Sequence, residues 1–483
     1  MRRIIRYLGR RIGGRLQSDD RGFVVVWFAL FSVVIMGMAA MSIDVGLAYY
    51  TRNRLSQALD AAALAMGAAP WGTSQDQLKQ IGQNYLNQNF GNDPATDKPV
   101  PLQASFSQDQ NTISLSAAVA VPSSFAQVLG VASFPVGTSS EVKRQTQRLE
   151  LSMVLDNTGS MWSNDNIQAV RDSAGLMVDI LFGGSDVHPN LKIGIVPYSV
   201  AVNVAPVANQ VVSKFDHPLD TSSINTKNWK GCVIERAPPN DVQDTSTAAG
   251  GYWTQYWWPS SKDNNWSNSS IDNNTQKLQN DVHGPNIGCP TPVTPLTNVK
   301  QTLTTAINAM TAWNRGGTMS NVGMAWGLRM LSPEPPFAEG AAWDDPVWKK
   351  AVVLMTDGDN LLFKLTNTSK NNINQEDKSV SSDWSAYGRI ESPFAQSVFK
   401  TTNLGTVKTM LDNKLTSVCQ AMKAKNIIIY TVVFTSGISA QTKQIYRDCA
   451  SDPGKFFDAP SQDDLKASFN SIANELSRLR ISR

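Results

Sequence analysis

Three short segments gather side chains suited to holding a hard metal ion: Asp156-Asn157-Thr158-Gly159-Ser160, Arg315-Gly316-Gly317-Thr318 and Met355-Thr356-Asp357-Gly358. Carboxylates and hydroxyls are hard oxygen donors, which fit Mg²⁺ or Mn²⁺ better than softer ions. A D-x-T-x-S turn can aim one carboxylate and two hydroxyls at a single point. Gly159 and the Gly316-Gly317 pair let backbones approach closely. Hydrolytic chemistry fits these residues poorly. An aspartic-protease dyad needs Asp-Thr-Gly contiguous, whereas Asn157 intervenes here and no second such triplet stands at a pairing distance. His188, His217 and His283 lie in no motif and read as surface or loop residues, so Ser160 has no positioned base. Nothing resembles a phosphate-cradling Walker loop.

The elements that must position these segments alternate between strand and helix. Residues 148–156, 191–200, 349–357 and 426–434 are apolar, β-branched runs, too continuous for strands with one wet face; 166–182 has helical period. That rhythm predicts an α/β fold, a doubly wound, mostly parallel sheet covered on both faces. Ligand sites in such sheets form outside the carboxyl ends of the strands, where strand order reverses. Asp156 and Asp357 stand at strand ends, and Thr318 in a turn between helices expected over 296–312 and 320–331. Leu465, Phe469, Ile472, Leu476 and Leu479 recur at helical spacing and predict a last amphipathic helix.

Two stretches interrupt the pattern. Residues 205–297 lack period yet carry Trp229, Trp253, Trp257, Trp258 and Trp266, and a second, polar insertion spans 360–395. Loops this long are usually functional or small subdomains. The tryptophans either build a local core or stay exposed to recognise a partner, and both readings are open at this level.

The N-terminus predicts the compartment. Seven arginines against Asp19 and Asp20 give residues 1–21 a charge of +5, which leaves −2 for the rest of a chain whose total is +3. A near-neutral body carries no footprint for nucleic acid. Residues 22–43 are 22 uncharged residues, about 33 Å of helix and enough to span a bilayer. The arginines predict a cytoplasmic N-terminus with the bulk outside. Leu55, Leu59, Ala62, Ala63 and Met66 then keep helical spacing, so the helix is expected to run on to Pro70. Polar, turn-rich sequence follows over 71–100, then strands over 111–121 and 134–143 around a short helix, 125–130. Four cysteines outside the membrane imply disulfides; of three possible connectivities, Cys232–Cys289 and Cys419–Cys449 are the most economical.

The trio of segments resembles the metal-ion-dependent adhesion site (MIDAS) of von Willebrand factor A domains, D-x-S-x-S followed by a threonine and an aspartate. That resemblance implies Asp156, Thr158, Ser160, Thr318 and Asp357 as ligands of Mg²⁺ or Mn²⁺, with an open position for an acidic residue of a protein partner. Thr158 replaces the usual serine and keeps the hydroxyl. The run RGFVVVWFAL, and ID-x-G-x-x-Y-x-x-R-x-x-L-x-x-A-x-D-A-A-A-L-A from Ile43, are similar to the N-terminal segment of TadG-like Flp-pilus assembly proteins. Cys419, Cys449 and the final helix look like the end of that group. The resemblance implies a tail (1–21), a transmembrane helix (22–43), a pilin-like stem (44–145) and a von Willebrand domain (146–483). It implies a non-enzymatic, metal-dependent component of a tight-adherence pilus apparatus at the cytoplasmic membrane. A von Willebrand scaffold of another secretion or chaperone system is the rival reading, and a Mg²⁺-dependent hydrolase a further one.

Overall fold

The computed structural model describes residues 23–69, 73–107, 112–143, 147–212, 229–261, 264, 266–267, 271, 283–313, 315–363, 382–435 and 437–479. Two compact units divide at Gln145/Thr146.

In the first unit, α1 (Phe23–Gly67) is one unbroken helix of 45 residues. Its N-terminal part exposes Val24, Phe28, Phe31, Ile35 and Met38, and it is long and apolar enough to cross a membrane. Ser32 and Ser42 donate their hydroxyls to Phe28 O and Met38 O, four residues back, which keeps them satisfied in an apolar medium. Further on, Leu55, Leu59, Ala62, Ala63 and Met66 all become buried. That stripe packs on α2 (Gln75–Asn89) and on an antiparallel sheet of β1 (Gln103–Phe106), β2 (Thr112–Pro122) and β3 (Ser133–Lys143), in the order β1-β2-β3. The expectation of turns throughout 71–100 is corrected by α2. Its signal was a capping box, Ser74 with Gln77, ahead of Leu78, Gly82 and Leu86 on one buried face.

The second unit is built on a six-stranded sheet. Its strands are β4 (Arg148–Asp156), β5 (Leu191–Tyr198), β8 (Thr294–Thr297), β10 (Trp348–Thr356), β12 (Ile428–Val433) and β13 (Phe456–Asp458). Their order is β13-β12-β10-β4-β5-β8, parallel except for β8 at one edge. The short pairs β6 (Val233–Ile234) with β7 (Thr254–Gln255) and β9 (Gly317–Thr318) with β11 (Leu361–Leu362) lie outside it. Helices α3 (Asn166–Phe182), α4 (Lys300–Asn308), α5 (Ser320–Met330), α6 (Pro393–Phe399), α7 (Leu404–Ala424), α8 (Ala440–Cys449) and α9 (Gln462–Leu479) complete the fold. Strand β8 occupies the start of the helix expected from residue 296. Pro295 is tolerated there because β8 is an edge strand.

Alternation along β4 divides two cores. Leu149, Leu151, Met153 and Leu155 join Val170, Met177, Phe469 and Ile472 on one face; Val154 joins Trp326, Leu411 and Leu415 on the other. Helix α5 is buried on every side, because the tryptophan-bearing insertion covers the face that solvent would otherwise reach. Trp229, Trp253 and Trp258 are buried, Trp253 packs 5.1 Å from Trp326, and the Cys232–Cys289 bridge ties the insertion together. Trp257 and Trp266 are half-buried against each other at 5.5 Å. The open choice for the aromatics is therefore decided for packing. A second bridge, Cys419–Cys449, joins α7 to α8.

Candidate metal centre

Strand order reverses between β4 and β10: the chain builds outward from β4 to β5 on one side, then returns to build β10, β12 and β13 on the other. The crevice at that point is where a ligand of a doubly wound sheet belongs. Asp156 ends β4, and Asp357 directly follows β10.

Four of the five expected side chains meet in one hydrogen-bonded run. The Thr158 backbone N–H donates to Asp156 Oδ1 at 2.8 Å, Thr158 Oγ1 and Ser160 Oγ lie 3.0 Å apart, and Ser160 Oγ donates to Asp357 Oδ1 at 2.7 Å. Asp156 and Thr158 are buried, whereas Ser160 opens to solvent. Thr318 is held separately, by the pairing of β9 with β11; no hydrogen bond joins its side chain to the other four among the described residues.

Asp156 Oδ2 is held from behind by groups that motif reading did not find. Thr356 Oγ1 donates to it at 2.8 Å, and the Tyr198 hydroxyl lies at 3.3 Å. Behind Tyr198 the network continues through Ser320 Oγ at 3.0 Å, which accepts from the Tyr446 hydroxyl at 2.8 Å. Burial pushes both phenols upward, so they remain protonated donors. The usable sequence signal was polar residues at the ends of apolar strands; pairing them needed the fold.

The turn bearing Thr318 is also fastened from a distance. Arg315 has φ +69°, and Gly316 and Gly317 have φ +88° and +117°. A Cβ on Gly317 would stand 2.1 Å from Leu361 O, so this position requires glycine. Asp383, in the second insertion, accepts from Arg315 Nη2 at 2.6 Å, Arg315 Nε at 3.2 Å and the Gly316 N–H at 3.0 Å. Arg315 stacks over Trp258 at 4.4 Å. Both insertions thus brace this turn. Asp383→Ala is expected to weaken Mg²⁺ binding about 10–100-fold, as loss of a ligand-orienting partner typically does, with the helical signal unchanged. Titration calorimetry that finds wild-type affinity would refute this bracing role.

Electrostatics suit a cation. Burial raises the Asp156 carboxyl, and Asp357 is pushed up to about 7, by burial first and by the charge of Asp156 second. The hydrogen bonds to these two carboxylates come from hydroxyls and backbone N–H groups, and no ion pair reaches either among the described residues. A divalent ion would relieve this mutual repulsion, and the donors are all hard oxygen. No group of three or more His, Cys, Asp or Glu side chains placed to hold a metal ion occurs among the described residues, so hydroxyls must supply part of any coordination shell. His188 is a loop residue just before β5, at the opposite end of that strand from Tyr198, but it is buried rather than on the surface. His217 falls outside the described residues.

This strand order defines a doubly wound, mostly parallel α/β domain that follows one long apolar helix in the chain. Residues 22–69 match the Tad family model, Flp pilus-assembly TadE/G-like, so the N-terminal segment is TadE/G-like. No curated protein sequence matches the chain. Similar solved structures include the vWF domain of the type V pili tip protein Mfa5 from Porphyromonas gingivalis, at 14% identity and TM-score 0.37, covering 70% of this chain and 97% of that one. The pilus adhesin SpaC from Lactobacillus rhamnosus GG is 11% identical at TM-score 0.37, covering 79% of this chain and 34% of that one. Proximal thread matrix protein 1 from the mussel byssus, with a zinc-occupied MIDAS motif, is 13% identical at TM-score 0.31, covering 68% of this chain and 48% of that one.

Proposed function

We propose that this chain is a membrane-anchored, metal-dependent protein-interaction component of a tight-adherence (Flp-type) pilus apparatus, and that it binds rather than catalyses. The observation that carries the reading is the run of donors from Asp156 through Thr158 and Ser160 to Asp357 at the switch point, on a chain whose residues 22–69 are TadE/G-like. With Mg²⁺ or Mn²⁺ bound, Asp156, Thr158, Ser160, Thr318 and Asp357 would hold the ion and leave a coordination position for an acidic side chain of a partner. The ion supplies a fixed positive charge. The protein residues keep it open on one side, because Ser160 faces solvent while Asp156 is sealed behind Tyr198 and Thr356. Catalysis has less support, since no histidine among the described residues hydrogen-bonds to the site and no phosphate-cradling loop occurs.

The anchor follows from α1 and the arginines before it. Positive charge is retained on the cytoplasmic side, which supports a von Willebrand domain lying outside the cytoplasmic membrane, periplasmic in a double-membraned cell. The partner is then an envelope protein presenting Asp, Glu or a terminal carboxylate, with pilus-assembly components the first candidates. Full-length protein solubilised from its native membrane is expected to co-purify pilus-assembly components in Mg²⁺, and to lose them in chelator or as Asp357→Ala. Retention of the same partners without divalent metal would refute metal-dependent recognition. Metal-dependent capture of a different secretion or chaperone system would move the function to that machine.

A further inference from the structure

Asp44 is the first charged residue after the apolar run, and it is buried. Its carboxylate does not face water. Oδ1 accepts the Ser124 N–H at 3.0 Å, and Oδ2 accepts those of Phe125 at 3.0 Å and Ala126 at 2.7 Å. These bonds, the one from Ala126 foremost, hold the carboxyl below its ordinary value. They also fix the loop between β2 and β3 at the height of residue 44 on α1. Ser123 donates its hydroxyl to Val131 O, and its N–H to Ala132 O at 3.1 Å, so the loop closes on itself.

What this loop presents is uncharged and largely apolar, with Ser124 and Gln127 its exposed polar side chains. Phe125 is 46% exposed, Val131 39% and Val128 89%. No charged residue lies between Asp109 and Glu141. On α1 the adjoining Val45, Leu47, Tyr49 and Tyr50 are exposed as well, and tyrosines of this kind collect at membrane boundaries. An apolar tip that water would disfavour is therefore clamped at the level where the membrane-spanning run ends.

We propose that the β2–β3 loop is a second membrane contact: Phe125, Val128 and Val131 enter the outer boundary of the bilayer beside α1, and Asp44 sets their depth. This rests on the reading of α1 as a membrane span. The carboxylate, capped by three N–H groups, can sit at headgroup level without a bare charge in an apolar layer. The consequence is a stem held to the surface at two points, which restricts how far it can tilt. A second copy of this chain and another envelope protein are the competing occupants, and the test separates them.

All four native cysteines are bridged, so a thiol-reactive environment-sensitive dye reports an added cysteine. Three variants of the full chain, Ile35→Cys, Val128→Cys and Glu141→Cys, are labelled and reconstituted in phosphatidylethanolamine/phosphatidylglycerol vesicles with brominated lipid. Glu141 is a water reference, because neighbouring Ser140 bonds Asp60, sixteen residues and about 24 Å along the helix from Asp44. Dye at residue 35 should be strongly quenched and blue-shifted, dye at 128 clearly quenched, and dye at 141 unquenched. Adding Asp44→Ala should return residue 128 to the level of residue 141 while residue 35 is unchanged. If residue 128 matches residue 141 in the parent and only residue 35 is quenched, the loop contact is wrong and the span stands. If none is quenched, the span itself fails. A blue shift at 128 without quenching overturns the lipid contact; its growth with protein-to-lipid ratio would indicate a second copy, and its need for added envelope extract a protein partner. Unchanged quenching in Asp44→Ala would remove Asp44 from the proposal.

Discussion

Asp156→Ala should abolish measurable Mg²⁺ or Mn²⁺ binding, a loss of at least about 100-fold, or roughly 2.7 kcal/mol. Asp156 contributes one of two carboxylates at the switch point and also receives the Thr158 N–H that shapes the D-x-T-x-S turn. Fold and site should separate cleanly. Asp156 is a buried carboxyl raised by desolvation, but its removal also strands the Thr158 N–H and the Thr356 and Tyr198 hydroxyls that bond it. The metal-free variant should stay folded with a modestly lowered Tm, yet gain nothing from metal, whereas wild type gains about 2.7 kcal/mol at a hundredfold excess over Kd. Wild-type affinity in Asp156→Ala would remove this site from the function. Wild type should also show a pH dependence whose sign follows from Asp357. Its folded-state pKa, about 7, lies above the unfolded carboxyl value of about 3.9. The metal-free stability it contributes is thus full below about pH 4 and lost as pH rises through 7. Metal must displace that proton, so affinity should climb from pH 5 to 7 and level off above. Calorimetry in buffers of different ionisation enthalpy would detect the released proton.

The largest expected loss of stability is at Arg329. It is fully buried on α5 and forms a two-pronged pair with Glu235, Nη1 to Oε1 and Nη2 to Oε2, each at 3.0 Å. Its remaining donors reach Gln243 O, Asn240 O and Asp241 O, and its plane lies near Trp253 and Trp326. Arg329→Met would leave Glu235 charged, buried and short of its partner, which costs about 3–5 kcal/mol. Glu235→Leu added to Arg329→Met should recover part of that, because the second change removes the stranded charge. Urea unfolding of the two variants measures both quantities. A single-variant loss below about 1 kcal/mol would mean that the pair is hydrated in solution. Since α5 begins at Ser320, which links Tyr446 to Tyr198 behind Asp156, loosening this pair should also weaken metal binding.

The difference between what was legible and what was not follows residue by residue. Apolar runs of 148–156 and 349–357 declared buried parallel strands because each is satisfied by any neighbour of the same kind. The boundaries observed, Arg148–Asp156 and Trp348–Thr356, differ by at most a residue. Helix α2 was missed because only a thin apolar stripe marks it, although its capping box was readable. His188 is a loop residue, as its sequence context implies, but its burial was not legible, because that depends on which segments cover it and no local pattern records that. The tryptophans of 205–297 were undecidable for a related reason: the same rings make a core or a binding face according to whether α5 lies beneath them.

By itself the sequence determined the features that are local or periodic. The uncharged 22 residues follow from composition, the alternation of strand and helix from side-chain period, and the candidate donors from short spacings along one turn. Tertiary structure alone decided that β4 and β10 become neighbours, which brings Asp156 within one hydrogen-bonded run of Asp357, 201 residues away in the sequence. It alone recruited Tyr198, Ser320, Tyr446 and Thr356 behind Asp156, set Asp383 against the Arg315 turn, and placed the Phe125–Val131 loop on Asp44. A hydroxyl or carboxylate can satisfy its hydrogen bonds with water or with any suitable group, so its residue type names no partner. Burial removes the water, and only the fold determines which donor takes its place.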